Sequence, residues 1–187
     1  AFKARYLLPR ADRSVVACAE HQALAAEAAR AGVTLLRPGA ALPLSGPTGV
    51  IEFASALDSG IGEVDGLTSF SRLIRERLPE AGVCVLHGDQ ADSEALALAA
   101  RAGTLVLAVR NAHLKAERLE AARQLLNAAQ RTVLVCLRNP YDAGALAGAD
   151  TVLCTCGDSM PSLQAAVAAL LGDFTPTGRL PVEVKPL

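Results

Sequence analysis

The chain has 187 residues, 51% of them hydrophobic but only 3% aromatic, with no Trp, 2 Tyr and 4 Phe. Lys plus Arg is 18 and Asp plus Glu is 19, a net charge of -1. This length suits one domain with a sizeable core. The composition argues against a disordered chain, a basic nucleic-acid surface, a single-strand stacking platform and a flat aromatic sugar-binding face.

In chain order, residues 1–13 read as a linker, and Ser14 to Ala31 as a helix. Val15, Cys18, Leu24 and Ala28 lie near one face of that helix, and Gly32 is its stop. Val33–Leu36 is a short extended segment, and the Gly- and Pro-rich run from Gly39 to Thr48 is a loop. Val50–Ala54 reads as a strand, followed by an amphipathic helix from Leu67 to Leu78 with Phe70, Leu73, Ile74 and Leu78 on one side. Strands are expected at Val83–Leu86, Thr104–Val109, Thr132–Leu137 and Thr151–Cys154. Between them come helices at Ser93–Ala102 and Leu114–Ala129 and a short helical turn at Asp142–Leu146. A helix capped near Ser159 runs to Leu171, with Met160 as a gap-filler at its start, and Pro181–Val184 is a candidate last strand. Strands apolar on both faces, spaced by helices, belong to a parallel sheet covered on each side. The fold class is therefore α/β: a three-layer αβα sandwich with a mostly parallel sheet of five to six strands, spanning 1–187 as one domain.

The five cysteines are Cys18, Cys84, Cys136, Cys154 and Cys156. An odd number, mostly inside apolar runs, reads as buried thiols in a reducing, cytoplasmic setting. Cys154-Thr155-Cys156 lacks metal or redox spacing, so no metal is expected. No apolar run reaches the roughly 18–20 residues that span a bilayer, so no membrane partner is expected. The chain opens on Ala1 with neither Met nor a signal-peptide pattern, which reads as a fragment or processed product.

Ligands of open parallel sheets sit beyond the carboxyl ends of the strands. The first such loop, Leu57–Gly66, has Gly60-x-Gly62-x-x-x-Gly66 spacing and carries Asp58, Glu63 and Asp65. Its acids would repel a pyrophosphate, and it reads first as a solvated acidic loop. The second loop pairs His87 with Asp89, either as an acid/base pair or as a polar strand end before a helix cap at Asp92 or Ser93. His21 stands on a helix beside Glu20, exposed or facing a partner, and nothing in the sequence pairs with His113. Cys84 sits mid-strand, where burial makes a thiol inert. No Gly-x-Ser-x-Gly or Gly-x-Cys-x-Gly elbow follows any strand. The residues alone supply no catalytic set and no cofactor motif.

Two stretches are more specific. One is Val133–Asp142 with its Asn139-Pro140-Tyr141-Asp142 turn, then Ala149-Asp150, Cys156-Gly157-Asp158, Pro161-Ser162 and the tail Leu171-Gly172-Asp173-Phe174-Thr175-Pro176-Thr177-Gly178-Arg179-Leu180-Pro181-Val182. The other is Glu20–Ala25 through Arg30, Val33–Pro38 and Leu42-Pro43-Leu44. Together they resemble the C-terminal domain of glycoside hydrolase family 3. Residues 58–129 match it only in rhythm. The resemblance implies an αβα domain that follows a (β/α)8 barrel bearing the Asp nucleophile of retaining hydrolysis. In the β-glucosidase branch the acid/base Glu lies in a longer insertion of this second domain, and no matching segment is present here. The shortness of the chain and Asn139–Asp142 resemble the β-N-acetylhexosaminidase branch, whose acid/base is a His on a barrel loop.

On that reading the chain holds no catalytic residue and is inactive alone. It braces the barrel of the same enzyme and closes one edge of its cleft with loops bearing Asp58, Glu63, Asp65, His87 and Asp89. A second reading is a stand-alone flavodoxin-like module that binds a small ligand or nucleotide through the 58–66 and 87–92 loops. A third gives Asp58, Glu63, Asp65 or Asp89 an acid/base role toward a partner barrel.

Overall fold

In the computed structural model of the chain, residues 12–54 and 69–185 are described. Residues 1–11 of the expected linker and the Asp58–Gly66 loop, with Asp58, Glu63 and Asp65, lie outside the described residues.

The elements in order are α1 (Ala19–Gly32), β1 (Thr34–Arg37), β2 (Thr48–Phe53), α2 (Ser69–Arg77), β3 (Gly82–Leu86), α3 (Ser93–Arg101), β4 (Thr104–Val109), α4 (Ala116–Ala128), β5 (Thr132–Cys136), α5 (Tyr141–Ala145), β6 (Thr151–Cys154) and α6 (Met160–Leu170). Short 3₁₀ turns cover Arg13–Val15 and Ala112–Leu114. The six strands form one sheet in the order β1-β6-β5-β4-β2-β3, parallel except for β1, which runs antiparallel to β6.

The period-2 alternation of strand side chains builds two cores. Ile51, Phe53, Leu105, Leu107, Val109, Leu134, Cys136, Val152 and Cys154 pack beneath α3, α4 and α5. Val50, Val106, Ala108, Val133, Val135 and Leu153 pack beneath α2 and α6, with Ala29 of α1 at the margin. This is a three-layer αβα sandwich with three helices on each face. The β2–β3 crossover steps toward one side of the sheet, and every later crossover steps back the other way. Connections of one hand that travel in opposite directions must lie on opposite faces, which is where α2 and the α3–α5 set are found.

Several sequence expectations are corrected. The first helix begins at Ala19 instead of Ser14, because Ala17 takes a left-handed φ of 55° and Cys18 is extended. The face through Val15 and Leu24 is not the buried one: both side chains are exposed, and no residue of α1 is buried. The helix touches the body through α6. Gly32 is its last residue, not its stop. Met160 is 48% exposed, so it fills no gap.

Residues 181–184 form no strand. Pro176 and Pro181 lack the N–H donors a ladder needs. The tail instead straps the open edge of β1. Leu171 and Phe174 pack on one core and Leu180 and Val184 on the other. Between them Gly178 N donates to Val33 O at 3.0 Å. A Cβ on Gly178 would stand 2.5 Å from Val33 O and 2.9 Å from Ala31 O, so only glycine permits this approach. The strap limits the pairing liability of an edge strand.

Candidate functional site at the carboxyl edge of the sheet

Relative to β2, the chain first builds outward to β3 and then returns to place β4, β5 and β6 on the other side. The crevice between the carboxyl ends of β2 and β4 is therefore the topological switch point, the usual ligand position in such sheets. The described residues there form a buried ion pair. Glu52 pairs in register with Ala108, so Arg110, two residues further along the chain, projects to the same face. Arg110 Nη1 donates to Glu52 Oε1 at 2.7 Å and to Phe53 O at 3.3 Å. Ser71 donates to Glu52 Oε2 from its hydroxyl at 2.6 Å and from its backbone N at 3.1 Å. Glu52 is fully buried and Arg110 5% exposed. Asp158, past β6, lies 3.5 Å from Arg110 Nε and 3.7 Å from Arg138 Nε. One guanidinium thus ties the ends of β2 and β4 to the loop after β6.

A second polar cluster follows β4 and β5. Asp142 Oδ1 sits 2.6 Å from His113 Nδ1 and accepts the His113 backbone N–H at 2.9 Å. Asp142 is fully buried, and its Oδ2 has no partner among the described residues. The His113 ring meets Tyr141 edge-on, with centroids 5.9 Å apart. Asn139 Nδ2 donates to Asn111 Oδ1, and Asn139 Oδ1 accepts from Tyr141 N at 3.2 Å. Asn111 and Cys156 both hold a left-handed φ of 54° on this edge. Such backbone costs a non-glycine residue about 1–3 kcal/mol and gathers at functional surfaces.

His87 is exposed, and Asp89 is committed elsewhere. Asp89 accepts from Lys115 Nζ at 2.9 Å and from Arg118 Nε at 2.7 Å. The Lys115 hydrogen bond, aided by Arg118 and opposed by burial, holds the Asp89 carboxyl below the usual range. Asp92 caps α3, accepting from Ala95 N at 2.8 Å. His113, which had no visible partner in the sequence, has one in Asp142, 29 residues away.

The cysteines divide by place. Cys136 and Cys154 are buried register partners, Cys18 and Cys84 are half-buried, and Cys156 is exposed, so the expectation of buried thiols holds for two of the five. Burial, with Asp92 and Glu94 nearby, pushes the Cys84 thiol up to about 11, which keeps it protonated and inert. The neighbouring Cys154 thiol, then burial, raises Cys136. Burial, then Cys154, raises Cys156. Among the described residues no group of His, Cys, Asp and Glu is arranged to hold a metal, and no helix is long and apolar enough to cross a membrane.

Two grooves lined by described residues lie apart from the ion pair. One of about 380 Å³ runs between α1, α2 and α6, lined by Ala26, Arg30, Leu73, Arg77 and Gln164 among others. Another of about 480 Å³ lies where Gln90 and Ala91 meet α4.

The missed residues left a signal. Glu52 is a lone acid within an apolar strand, and Arg110 directly follows another. A charge so placed must be buried with a partner. The sequence motifs also resolve into structural roles. Asp150 Oδ2 accepts from Thr132 N and Oγ1, both at 2.8 Å, clasping the starts of β5 and β6. Gly157 O accepts from Thr155 Oγ1 at 2.7 Å.

Neither a protein-family model nor a curated protein matches the sequence. Solved structures do match. A region of a fungal multi-domain glycoside hydrolase family 3 β-N-acetylglucosaminidase, described as having a GCN5-related glucosamine N-acetyltransferase region, is 21% identical with a TM-score of 0.79, over 95% of this chain and 21% of that one. The family 3 β-N-acetylglucosaminidase of Paenibacillus sp. str. FPU-7 is 18% identical with a TM-score of 0.74, over 97% of this chain and 36% of that one. The Listeria innocua β-glucosidase, solved with isofagomine, is 18% identical with a TM-score of 0.70, over 93% of this chain and 28% of that one. The likeness is one of fold, and the chain spans a fifth to about a third of these enzymes' length.

Proposed function

We propose that this chain is the non-catalytic αβα portion of a retaining family 3 glycoside hydrolase acting on N-acetylglucosaminides, and that it braces a (β/α)8 barrel carrying the nucleophile. The observation that carries the reading is the lopsided match: nearly all of this chain aligns with family 3 β-N-acetylglucosaminidases, but with no more than 36% of either one. The family-like motifs support it by their roles here, since Gly178 seats the strap and Asp150 clasps two strands. Neither residue has a chemical task. Four described acids of the carboxyl edge support it too. Glu52, Asp89, Asp142 and Asp158 are each already engaged by a guanidinium, an ammonium or an imidazole.

The protein's part in the reaction is then mechanical. Retaining hydrolysis needs a nucleophile and an acid/base held at a fixed separation across the glycosidic bond. A rigid sheet with two packed cores is suited to support the barrel loops that supply them. The test is hydrolysis of a chromogenic N-acetylglucosaminide by the 187-residue chain and by the polypeptide of the whole reading frame. Turnover by the longer polypeptide alone is the expected result. Comparable turnover by the 187-residue chain would overturn the reading, as would a longer polypeptide that lacks a barrel.

A further inference from the structure

We propose that residues 180–185 act as a releasable latch on α5: seated, they hold this short helix closed over Asp142, and lifted, they let it open. The inference does not depend on the proposed function, because its test follows α5 in the 187-residue chain itself.

α5 has only 5 residues and cannot hold itself. Isolated helices shorter than about 12–15 residues are marginal in water, so its stability has to come from packing. Its composition raises that need. Gly144 stands inside the helix, where glycine is the least favourable residue after proline. Asp142 is fully buried; one of its oxygens is engaged by His113, and Oδ2 has no partner among the described residues. A buried oxygen without a donor gains by meeting water, so Asp142 draws α5 toward opening. Yet Asp142, Ala143, Gly144 and Ala145 are all buried.

The tail supplies the cover. A Cβ on Gly144 would collide with Lys185 O and stand 3.2 Å from Val184 Cγ1, so the tail backbone lies directly on α5. The mid-helix glycine thus gives up helix propensity to let residues 184 and 185 sit down. Leu180 and Val184 pack on the same core as Ala143 and Leu146. The grip is uneven along the tail. Its root is fixed: Asp173 N donates to Ala168 O at 2.9 Å, Arg77 pairs with Asp173 at 3.0 Å, and Gly178 N donates to Val33 O at 3.0 Å. Beyond that point no backbone hydrogen bond reaches residues 180–185 among the described residues, and Pro181, Val182, Glu183 and Lys185 are exposed. Few buried contacts without hydrogen bonds mark a segment of low local stability. The tip can therefore lift while the root stays, and α5 is the element it uncovers. Opening α5 takes Asp142 away from the His113 ring that it fixes, so the state of the tail is felt at His113.

The test is amide hydrogen exchange in the 187-residue chain and in a chain ending at Arg179, each with and without Gly144→Ala. The amides of Ala143 and Leu146, bonded to Pro140 O and Asp142 O, report on α5, and those of β5 report on the sheet. Ending the chain at Arg179 should speed exchange in α5 about tenfold or more while β5 stays unchanged, and should shift the His113 imidazole resonances. Gly144→Ala adds a change of sign. In the full chain the new methyl displaces Lys185, and α5 should exchange faster. In the shortened chain the collision is gone, and alanine should slow exchange about fivefold, the factor its helix propensity over glycine gives. Unchanged α5 exchange on shortening overturns the latch, as does slower exchange with Gly144→Ala in the full chain. If α5 and β5 speed up together in a folded shortened chain, the tail is a general brace and the latch is overturned. If the shortened chain does not fold, Gly144→Ala in the full chain decides: faster exchange confined to α5 upholds the latch, and any other result overturns it.

Discussion

Glu52 and Asp142 are both fully buried carboxylates on the carboxyl edge of one sheet, yet they are satisfied very differently. Glu52 has a guanidinium on one oxygen and the Ser71 hydroxyl and backbone N–H on the other. Asp142 spends one oxygen on two donors of His113, and its other oxygen has no partner among the described residues. The first arrangement joins the ends of β2 and β4 to the loop after β6. The second fixes the ring of one residue beside an exposed Tyr141. Burial depth alone therefore does not reveal the role of a buried acid. The partner set separates a clasp of the fold from a support for a surface residue.

The sharpest way to break this comparison is Arg110→Met. It removes the guanidinium from Glu52 Oε1, and loss of one member of a buried pair costs about 3–5 kcal/mol. Urea unfolding should show that loss, and Glu52→Leu combined with Arg110→Met should recover much of it, because the two residues are coupled. A cost no larger than that of a surface substitution would mean that the pair does not hold the edge together.

Asp142→Asn should cost less, about 1–3 kcal/mol, the range for leaving a buried hydrogen-bonding group poorly satisfied. Its second expected effect is loss of the fixed His113 ring, seen as broadened or shifted imidazole resonances. A stability loss equal to that of Arg110→Met with His113 unmoved would erase the distinction.

The smallest effect belongs to Asp89, a partly exposed acid on the same edge. Its folded pKa is lowered, chiefly by Lys115, so its stabilisation is present above the unfolded carboxylate value of about 3.9. It is lost as the pH falls through the lower folded value. Asp89→Asn should thus destabilise the protein at pH 7 by about 1 kcal/mol or less. The gap from the unsubstituted protein should close on acidification. A gap that does not depend on pH would show that the Lys115 and Arg118 contacts contribute no net stability.

Much of the fold was legible from local pattern. Thr104–Val109, Thr132–Leu137 and Thr151–Cys154 are apolar on both faces, and that demands a sheet covered on each side. Asp92 could be read as a cap because it precedes a helix by one residue. The start of α1 was not legible, because the left-handed backbone at Ala17 has no mark in the residue type. The end of the chain misled because Val182 and Val184 have strand character, while Pro176 and Pro181 deny the donors. The polar clusters were hidden by distance along the chain: Glu52 and Arg110 are 58 residues apart, and His113 and Asp142 are 29 apart.

By itself the sequence determined the layered αβα class and the identity of most strands and helices, since both follow from periodicity over a few residues. Only the tertiary structure decided which charges meet. Strand order and register set that, and both depend on long-range packing between segments whose local patterns are nearly interchangeable. The sequence held Glu52, Arg110, His113 and Asp142 in plain view. Their pairing came into being only when β2, β4 and β5 were laid side by side and their carboxyl ends brought to one edge.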